Sequence, residues 1–206
     1  MRVGLLGGTF DPIHSGHLQV ATELIRELQL DNVWFIPASI PWMKSGTVQA
    51  SSRDRMERVK LGIENEPRFH VCDWEVSSGG YSYTIDTLKR ARKEPEGEDE
   101  LFVIIGSDVN QRFGEWKEFE EILSLSTVVV VVRPGFEYGG LSGTITSFSN
   151  KGNIVSIEVP VLDIQSREVR MRASNQELLS GLVPEKVEEH IRINGLYLEH
   201  NQQGNG

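Results

Sequence analysis

Two histidines follow a glycine-rich turn near the start of the chain, within the segment Gly7–His17. An apolar run, Val3–Leu6, precedes the segment, and an amphipathic stretch typical of a helix follows it. A strand that turns into a helix presents unpaired backbone N–H groups and the positive end of the helix dipole, which favours phosphate binding. His14 and His17 are three residues apart, so their rings share one face if the helix has begun by His14. Two imidazoles beside a phosphate indicate stabilisation of charge on a transferring phosphoryl group, which needs no covalent intermediate.

Simpler interpretations of these residues also exist. Gly7 and Gly8 allow the backbone to approach a ligand closely, but a Gly-Gly pair also occurs in turns that bind nothing. The two histidines fit ordinary surface or core positions, and a zinc site is conceivable. No third metal ligand lies near them in the sequence, and Cys72 is the only cysteine. We therefore predict no metal site made by protein side chains.

The complete segment GGTFDPIHSGH resembles the GGTFDPxHxGH signature of nicotinate mononucleotide adenylyltransferases, in the HxGH nucleotidyltransferase superfamily. The resemblance implies transfer of the adenylyl group of ATP to nicotinate mononucleotide, giving nicotinate adenine dinucleotide and pyrophosphate. His14 and His17 would be catalytic, together with Lys44. The residues of the segment that the resemblance assigns to ATP binding are Gly7, Gly8, Thr9, Phe10, His14 and His17.

Further motifs resemble the family across nearly the whole chain. Pro41-Trp42-Met43-Lys44 occupies the place of the PPHK loop, and Ile104–Asp108 is similar to IIGxD. The second motif implies ATP contacts from Gly106 and Asp108, beyond the carboxyl end of a strand, where open α/β sheets bind ligands. Similar family positions, including SYT, RPG and the tryptophan after IIGxD, imply a mononucleotide site formed by Ser39, Lys44, Thr84, Trp116 and Arg133.

The chain departs from the family near its C-terminus. The family has ISSTxxR, whereas this chain reads Ile164–Arg170, IQSREVR. Ser166 and Arg170 are retained, while Gln165 and Arg167 replace a serine and a threonine. The resemblance implies that Ser166, Arg167 and Arg170 bind the ATP triphosphate, with Arg167 either supplying charge or obstructing the pocket.

Three alternatives to the implied function therefore stay open. In the first, the acceptor is nicotinamide mononucleotide instead of nicotinate mononucleotide. In the second, the acceptor is that of another adenylyltransferase. Alternatively, the chain is a non-catalytic nucleotide-binding homologue, an interpretation that the altered ISSTxxR motif favours. In the catalytic interpretation, Mg2+ arrives with ATP and is held by phosphates and water.

The elements that must position these residues alternate between apolar runs and amphipathic stretches, which predicts an α/β fold. We expect a single Rossmann-like domain, a parallel sheet flanked by helices with a small C-terminal helical segment. The predicted strands are Val3–Leu6, Val33–Ile36, Phe69–Val76, Leu101–Ile105, Thr127–Val132 and Ile154–Val159. The predicted helices are about His17–Leu28, Ser52–Ile63, Tyr83–Lys93, Lys117–Leu123 and Pro184–Asn194, with Ser52 and Ser82 as N-caps.

Composition bounds the partners and the domain organisation. The net charge of −9 argues against broad nucleic-acid binding, and no apolar run approaches the roughly 20 residues that cross a bilayer. One cysteine and no recognisable signal peptide predict a cytoplasmic protein, and a homo-oligomer is compatible with the sequence. We expect one nucleotidyltransferase domain over 1–198, with its helical part at about 166–198. A glycine-rich insertion is predicted at Gly135–Asn153, and a disordered tail at 199–206.

Overall fold

The computed structural model describes residues 1–41, 48–94, 100–107, 113–132, 154–160 and 162–198. Within them, six strands form one parallel sheet in the order β3-β2-β1-β4-β5-β6. The strands are β1 (Arg2–Gly8), β2 (Asn32–Pro37), β3 (Phe69–Val71), β4 (Glu100–Gly106), β5 (Thr127–Val132) and β6 (Ile154–Glu158). This is the strand order of the doubly wound Rossmann fold, so the predicted fold class is confirmed.

Helices cover both faces of the sheet. The helices of the described residues are α1 (Ser15–Leu28), α2 (Ser52–Ile63), α3 (Trp74–Ser78), α4 (Thr84–Ala91), α5 (Phe119–Leu125), α6 (Ser166–Ser174) and α7 (Glu185–Ile193). A short 3-10 helix, Phe113–Glu115, precedes α5. No helix in this part of the chain is long and apolar enough to cross a membrane.

Alternate residues of the strands supply two separate cores. On one face, Leu6 and Ile104 pack with the buried sides of α1, α2, α6 and α7. On the other face, Leu5 and Val103 pack with α4 and α5. Since successive strand residues point to opposite faces, continuous apolar strands are what a sheet covered on both sides requires.

The observed elements differ from the predicted ones at several boundaries. The strand predicted at Phe69–Val76 is wrong beyond Val71, because α3 begins at Trp74, whose ring packs at 5.5 Å against Trp34. The predicted helix Lys117–Leu123 is shifted to Phe119–Leu125.

Both predicted serine N-caps are wrong. Ser51 caps α2, its hydroxyl accepting the Asp54 N–H at 3.1 Å. The N-cap of α4 is Tyr83, and the Ser82 hydroxyl instead accepts the Ser39 N–H at 2.9 Å. A serine hydroxyl therefore accepts a backbone N–H at each place. The bond to Ser51 caps a helix, whereas the bond to Ser82 comes from a residue distant in sequence.

The terminal helix follows its sequence signals closely. Pro184 is the N-cap of α7 and Asn194 its C-cap, while Gly195 adopts φ +57° just beyond it. Such a φ is readily adopted by glycine and ends the helix. The predicted insertion at Gly135–Asn153 and the predicted tail at 199–206 lie outside the described residues.

Candidate active site

A crevice opens between β1 and β4, where the strand order reverses. The β1–β4 ladder ends at the pair Leu6 and Ile104, although each strand continues for two more residues, to Gly8 and Gly106. Beyond that pair, β1 stays paired only with β2, and β4 stays paired only with β5. Ligands of doubly wound sheets bind at this kind of switch point, outside the carboxyl ends of the strands.

Gly7 and Gly8 have different roles at the edge of this crevice. A Cβ added to Gly7 would meet no atom of the described residues within 4 Å. A Cβ added to Gly8 would lie 2.9 Å from Cζ of Phe10, so Gly8 makes room for that ring. The Phe10 side chain is buried between the rings of His17 and Phe35, at centroid distances of 5.1 and 5.9 Å. Of Phe10, only the backbone can therefore meet a ligand.

The two histidines stand at the first turn of α1. The helix begins at Ser15, so His14 is its N-cap and His17 its third residue. Their rings stack with centroids 3.6 Å apart and planes inclined by 30°. The histidines thus share one side of the turn even though the helix begins after His14, and both lie at the helix end that attracts anions.

A backbone contact fixes the tautomer of His17. The His14 N–H donates to Nδ1 of His17 at 3.2 Å. An accepting Nδ1 carries no proton, so the ring is neutral and its proton is on Nε2. His17 therefore presents Nε2–H as a donor, which is the group that an oxygen of a phosphate accepts from.

The N-terminus of α6 is tied to the loop between β1 and α1. The Ser166 hydroxyl donates to the Pro12 carbonyl oxygen at 3.0 Å, and Nη1 of Arg170 donates to that of Asp11 at 2.6 Å. Gln165 is the N-cap of α6 and makes no side-chain capping bond. Arg167 is exposed in the first turn and forms no ion pair with the described residues. The altered motif thus still brings a helix N-terminus to the loop that is predicted to bind phosphate.

Three of the residues predicted for the mononucleotide, Ser39, Thr84 and Trp116, lie at or near the start of α4. Thr84 is the first residue of α4, and Ser39 reaches this region through its N–H bond to Ser82. Trp116 is half-buried against Phe113, with ring centroids 5.2 Å apart. The next residue, Lys117, pairs with Asp86 of α4 at 3.2 Å, so the tryptophan segment lies beside the first turn of that helix.

A half-buried carboxylate, that of Glu75, lies on this side of the site. Oε1 of Glu75 accepts the Thr87 hydroxyl at 2.5 Å. Burial raises the pKa of Glu75, while hydrogen bonds from the Thr87 and Ser82 hydroxyls oppose that rise. Three of the predicted site residues, Lys44, Asp108 and Arg133, lie outside the described residues.

A buried polar network beneath the phosphate-binding loop was not predicted from the sequence. Asp11 is 3% exposed and accepts the Tyr197 hydroxyl at 2.6 Å and the Gln49 N–H at 2.8 Å. Arg58, fully buried, lies 3.5 Å from the same carboxylate and over the Tyr197 ring. Burial is the main cause of the raised pKa of Tyr197. The sequence held one sign of this network. Arg55 and Arg58 lie on the same face of α2 as the apolar residues Val59 and Ile63, and that face is buried.

Comparison with known proteins places this geometry in a family. The Cytidylyltransferase-like family profile matches residues 5–172. A protein of Bacillus cytotoxicus is 37% identical over 197 residues, covering 95% of this chain and 98% of its own length. A protein of Clostridium novyi is 38% identical over 198 residues, with the same coverage. Both carry the name "Probable nicotinate-nucleotide adenylyltransferase". The chain belongs to this family of adenylyltransferases.

A solved structure agrees with the assignment at the level of the fold. The Plasmodium falciparum nicotinic acid mononucleotide adenylyltransferase, complexed with NaAD, superposes with a TM-score of 0.75 at 20% identity. The match covers 95% of this chain and 97% of the Plasmodium chain. The relatives and the family profile confirm the resemblance inferred from Gly7–His17, and the protein is an enzyme of the adenylyltransferase class.

Proposed function

We propose that this protein transfers the adenylyl group of ATP to nicotinate mononucleotide, releasing pyrophosphate, in the synthesis of NAD. The observation that carries the proposal is the stacked pair His14 and His17 at the N-terminus of α1, beside the β1–β4 crevice. The names of relatives that align over 95% of the chain support the choice of acceptor.

The reaction needs no covalent intermediate with the protein. A phosphate oxygen of the mononucleotide attacks the α-phosphorus of ATP, and a new P–O bond forms. The bond between the α-phosphorus and the oxygen that bridges to the β-phosphate breaks, and pyrophosphate leaves with its electron pair. The Nε2–H of His17 and the His14 ring stabilise negative charge around the α-phosphate, so positioning and electrostatics supply most of the acceleration.

Two parts of the chain bind ATP in this proposal, the end of β1 with the loop that follows it, and the start of α6. We assign backbone contacts with ATP to Gly7, Gly8, Thr9 and Phe10, because the two glycines end β1 and the next two residues begin the loop that leads to α1. Ser166, Arg167 and Arg170 meet the triphosphate from the α6 side. One donor of Arg170 is committed to the Asp11 carbonyl, so this arginine supports the loop while its remaining donors serve phosphate.

The opposite wall receives the mononucleotide. The start of α4 offers backbone N–H groups and the Thr84 hydroxyl to the nicotinate carboxylate. Trp116 stacks on the pyridine ring, and Ser39 contacts the nucleotide. We further propose that Lys44 and Arg133 bind its phosphate, while Gly106 and Asp108 contact ATP.

Magnesium accompanies ATP in this proposal. Among the described residues no group of three or more His, Cys, Asp or Glu side chains has the geometry to hold a metal ion. The imidazoles, hydroxyls and guanidinium groups that surround the crevice suit phosphate oxygens. This donor set fits an ion whose ligands are the phosphates of ATP and water. We also propose a cytoplasmic location, which the single cysteine supports.

Pyrophosphate release tests the proposed function directly. The protein is mixed with Mg2+, ATP and either nicotinate mononucleotide or nicotinamide mononucleotide, and initial rates are compared. We expect release with both ATP and nicotinate mononucleotide present, with a clear preference for the nicotinate form. A preference for the amide would overturn the acceptor, and no release with any mononucleotide would identify a non-catalytic nucleotide-binding protein.

A further inference from the structure

Arg55 binds three separate loop segments through their main chains. The residue is 1% exposed. Its Nη1 donates to the carbonyl oxygen of Thr9 at 2.6 Å, and its Nη2 donates to that of Ser39 at 2.9 Å. Nε donates to the carbonyl oxygen of Ala50 at 3.3 Å. A single guanidinium therefore joins the phosphate-binding loop, the end of β2 and the start of α2.

The Ser39 residue is held from both sides. Its carbonyl oxygen accepts from Arg55, and its N–H donates to the hydroxyl of Ser82 at 2.9 Å. The adjacent backbone strengthens this link, because Ile40 accepts from the Ser82 N–H at 3.2 Å. A continuous chain of hydrogen bonds thus runs from Thr9 through Arg55 and Ser39 to the segment that begins α4.

The cost of burying this arginine indicates that its geometry matters. Desolvation lowers the pKa of Arg55, so burial works against its charge. Among the described residues, no carboxylate accepts a hydrogen bond from Arg55. The three groups that do accept one are neutral main-chain carbonyls. Lysine places one point charge on a flexible stem and cannot span the same carbonyls, because only the planar fork of arginine has donors at those separations.

We propose that Arg55 is a positioning residue that fixes the separation between the ATP and mononucleotide sites. Thr9 lies on the ATP wall, whereas Ser39 and Ser82 lead to the mononucleotide wall at α4. The inference rests on the proposed function. In-line transfer depends on the distance between the attacking oxygen and the α-phosphorus, so an error of 1 Å in that distance costs about 10²-fold in rate.

The variant Arg55→Lys tests this role by separating turnover from binding. We expect kcat for pyrophosphate release to fall by about 10²-fold. The Kd values of ATP alone and of nicotinate mononucleotide alone, from calorimetric titration, should change by less than about threefold, because each wall keeps its own contacts.

The matched control is Arg92→Lys, since Arg92 also donates to a main-chain carbonyl, that of Leu125 at 2.6 Å. Leu125 ends α5 just before the amino end of β5, whereas the crevice lies beyond the carboxyl ends of β1 and β4, so this variant should keep kcat.

The outcomes separate positioning from a purely structural role. A kcat within threefold of wild type, or equal losses in kcat and in both binary affinities, would overturn the proposal. If Arg55→Lys does not fold, Ser82→Ala decides, because it removes the acceptor of the Ser39 N–H, together with the bond from the Ser82 hydroxyl to Glu75. Its kcat should fall by about three- to tenfold with both Kd values retained, and an unchanged kcat would refute the role. Wild-type protein that releases no pyrophosphate refutes the proposed function instead, before any variant is made.

Discussion

Leu6 and Ile104 form the last pair of the β1–β4 ladder, two residues before either strand ends. The next residues of the two strands, Gly7 and Gly106 among them, are not paired with each other, so they lie where the crevice begins. The space beside Gly7 leaves its main chain open to a ligand. The chemistry of the site therefore begins with the point where strand pairing stops.

The two glycines at the end of β1 should respond differently to alanine. Gly8→Ala places a Cβ 2.9 Å from the buried Phe10 ring, so we expect a loss of about 1–3 kcal/mol in the free energy of unfolding. The Cβ of Gly7→Ala meets no atom of the described part of the chain within 4 Å, so the stability of this variant should match or exceed that of wild type, while its KM for ATP rises. Urea unfolding and steady-state kinetics measure both effects. Equal ATP affinity of Gly7→Ala and wild type would contradict the placement of ATP against Gly7.

The two nitrogens of His17 should be separable by substitution. An asparagine at this position places an oxygen near the site of Nδ1, so His17→Asn can still accept the His14 N–H. It lacks a group at the place of Nε2, and we expect kcat to fall by about 10²–10³-fold with the thermal midpoint retained. His17→Gln is the matched variant, because its amide reaches toward the place of Nε2 and should recover part of kcat. Near-normal turnover of His17→Asn would refute the assigned role.

Sequence patterns correctly predicted the helices and strands that are determined by residues close to them in the sequence. The β1 strand, the glycine turn and α1 follow from residues within the first thirty positions, and Pro184 with Gly195 bounded the last helix. The strand predicted through Val76 was wrong because the apolar pattern of this segment does not distinguish a strand from the short helix α3. Apolar periodicity records burial and not the element that is buried.

The buried supports of the site could not be predicted, because their partners are distant in sequence. Arg55 contacts Thr9 across 46 positions, and Tyr197 contacts Asp11 across 186. An arginine on an apolar helix face shows that some partner must exist, since a buried charge requires one, but not which one. The motif residues were identified by resemblance, whereas the residues that hold the motif required the fold.

Loss of the Tyr197 hydroxyl, near the C-terminus, should lower the free energy of unfolding. Tyr197→Phe removes the donor to the buried Asp11 carboxylate, so we expect the free energy of unfolding to fall by about 1–3 kcal/mol. The matched control is Tyr81→Phe, whose side chain is 59% exposed and should change stability by less than about 0.5 kcal/mol. Chemical denaturation at neutral pH measures the difference. Equal stability of the two variants would show that the Asp11 bond contributes nothing.

The half-buried Glu75 should make stability depend on pH in a defined direction. Burial raises its pKa in the folded state above the ordinary value of 4.5. The folded protein therefore binds this proton more tightly than the unfolded chain, and stability falls as pH rises from about 4.5 through the folded pKa. Glu75→Gln removes this titration, so its stability relative to wild type should increase between pH 4.5 and pH 8. Urea unfolding at both pH values tests this, and a constant difference would show that Glu75 stays unperturbed.

The replacement of a family threonine by Arg167 should strengthen ATP binding. The side chain is exposed at the first turn of α6, whose N-terminus is tied to the phosphate-binding loop by the Ser166 bond to Pro12. Arg167→Thr removes a charge-assisted contact, so we expect the KM for ATP to rise by about three- to tenfold at low ionic strength. Added salt should narrow the difference, because the contact is solvent-exposed and screened. Arg172→Thr is the control, since Arg172 in the last turn of α6 pairs with Glu168 at 2.9 Å. A gain in ATP affinity for Arg167→Thr would show instead that this arginine obstructs the triphosphate site.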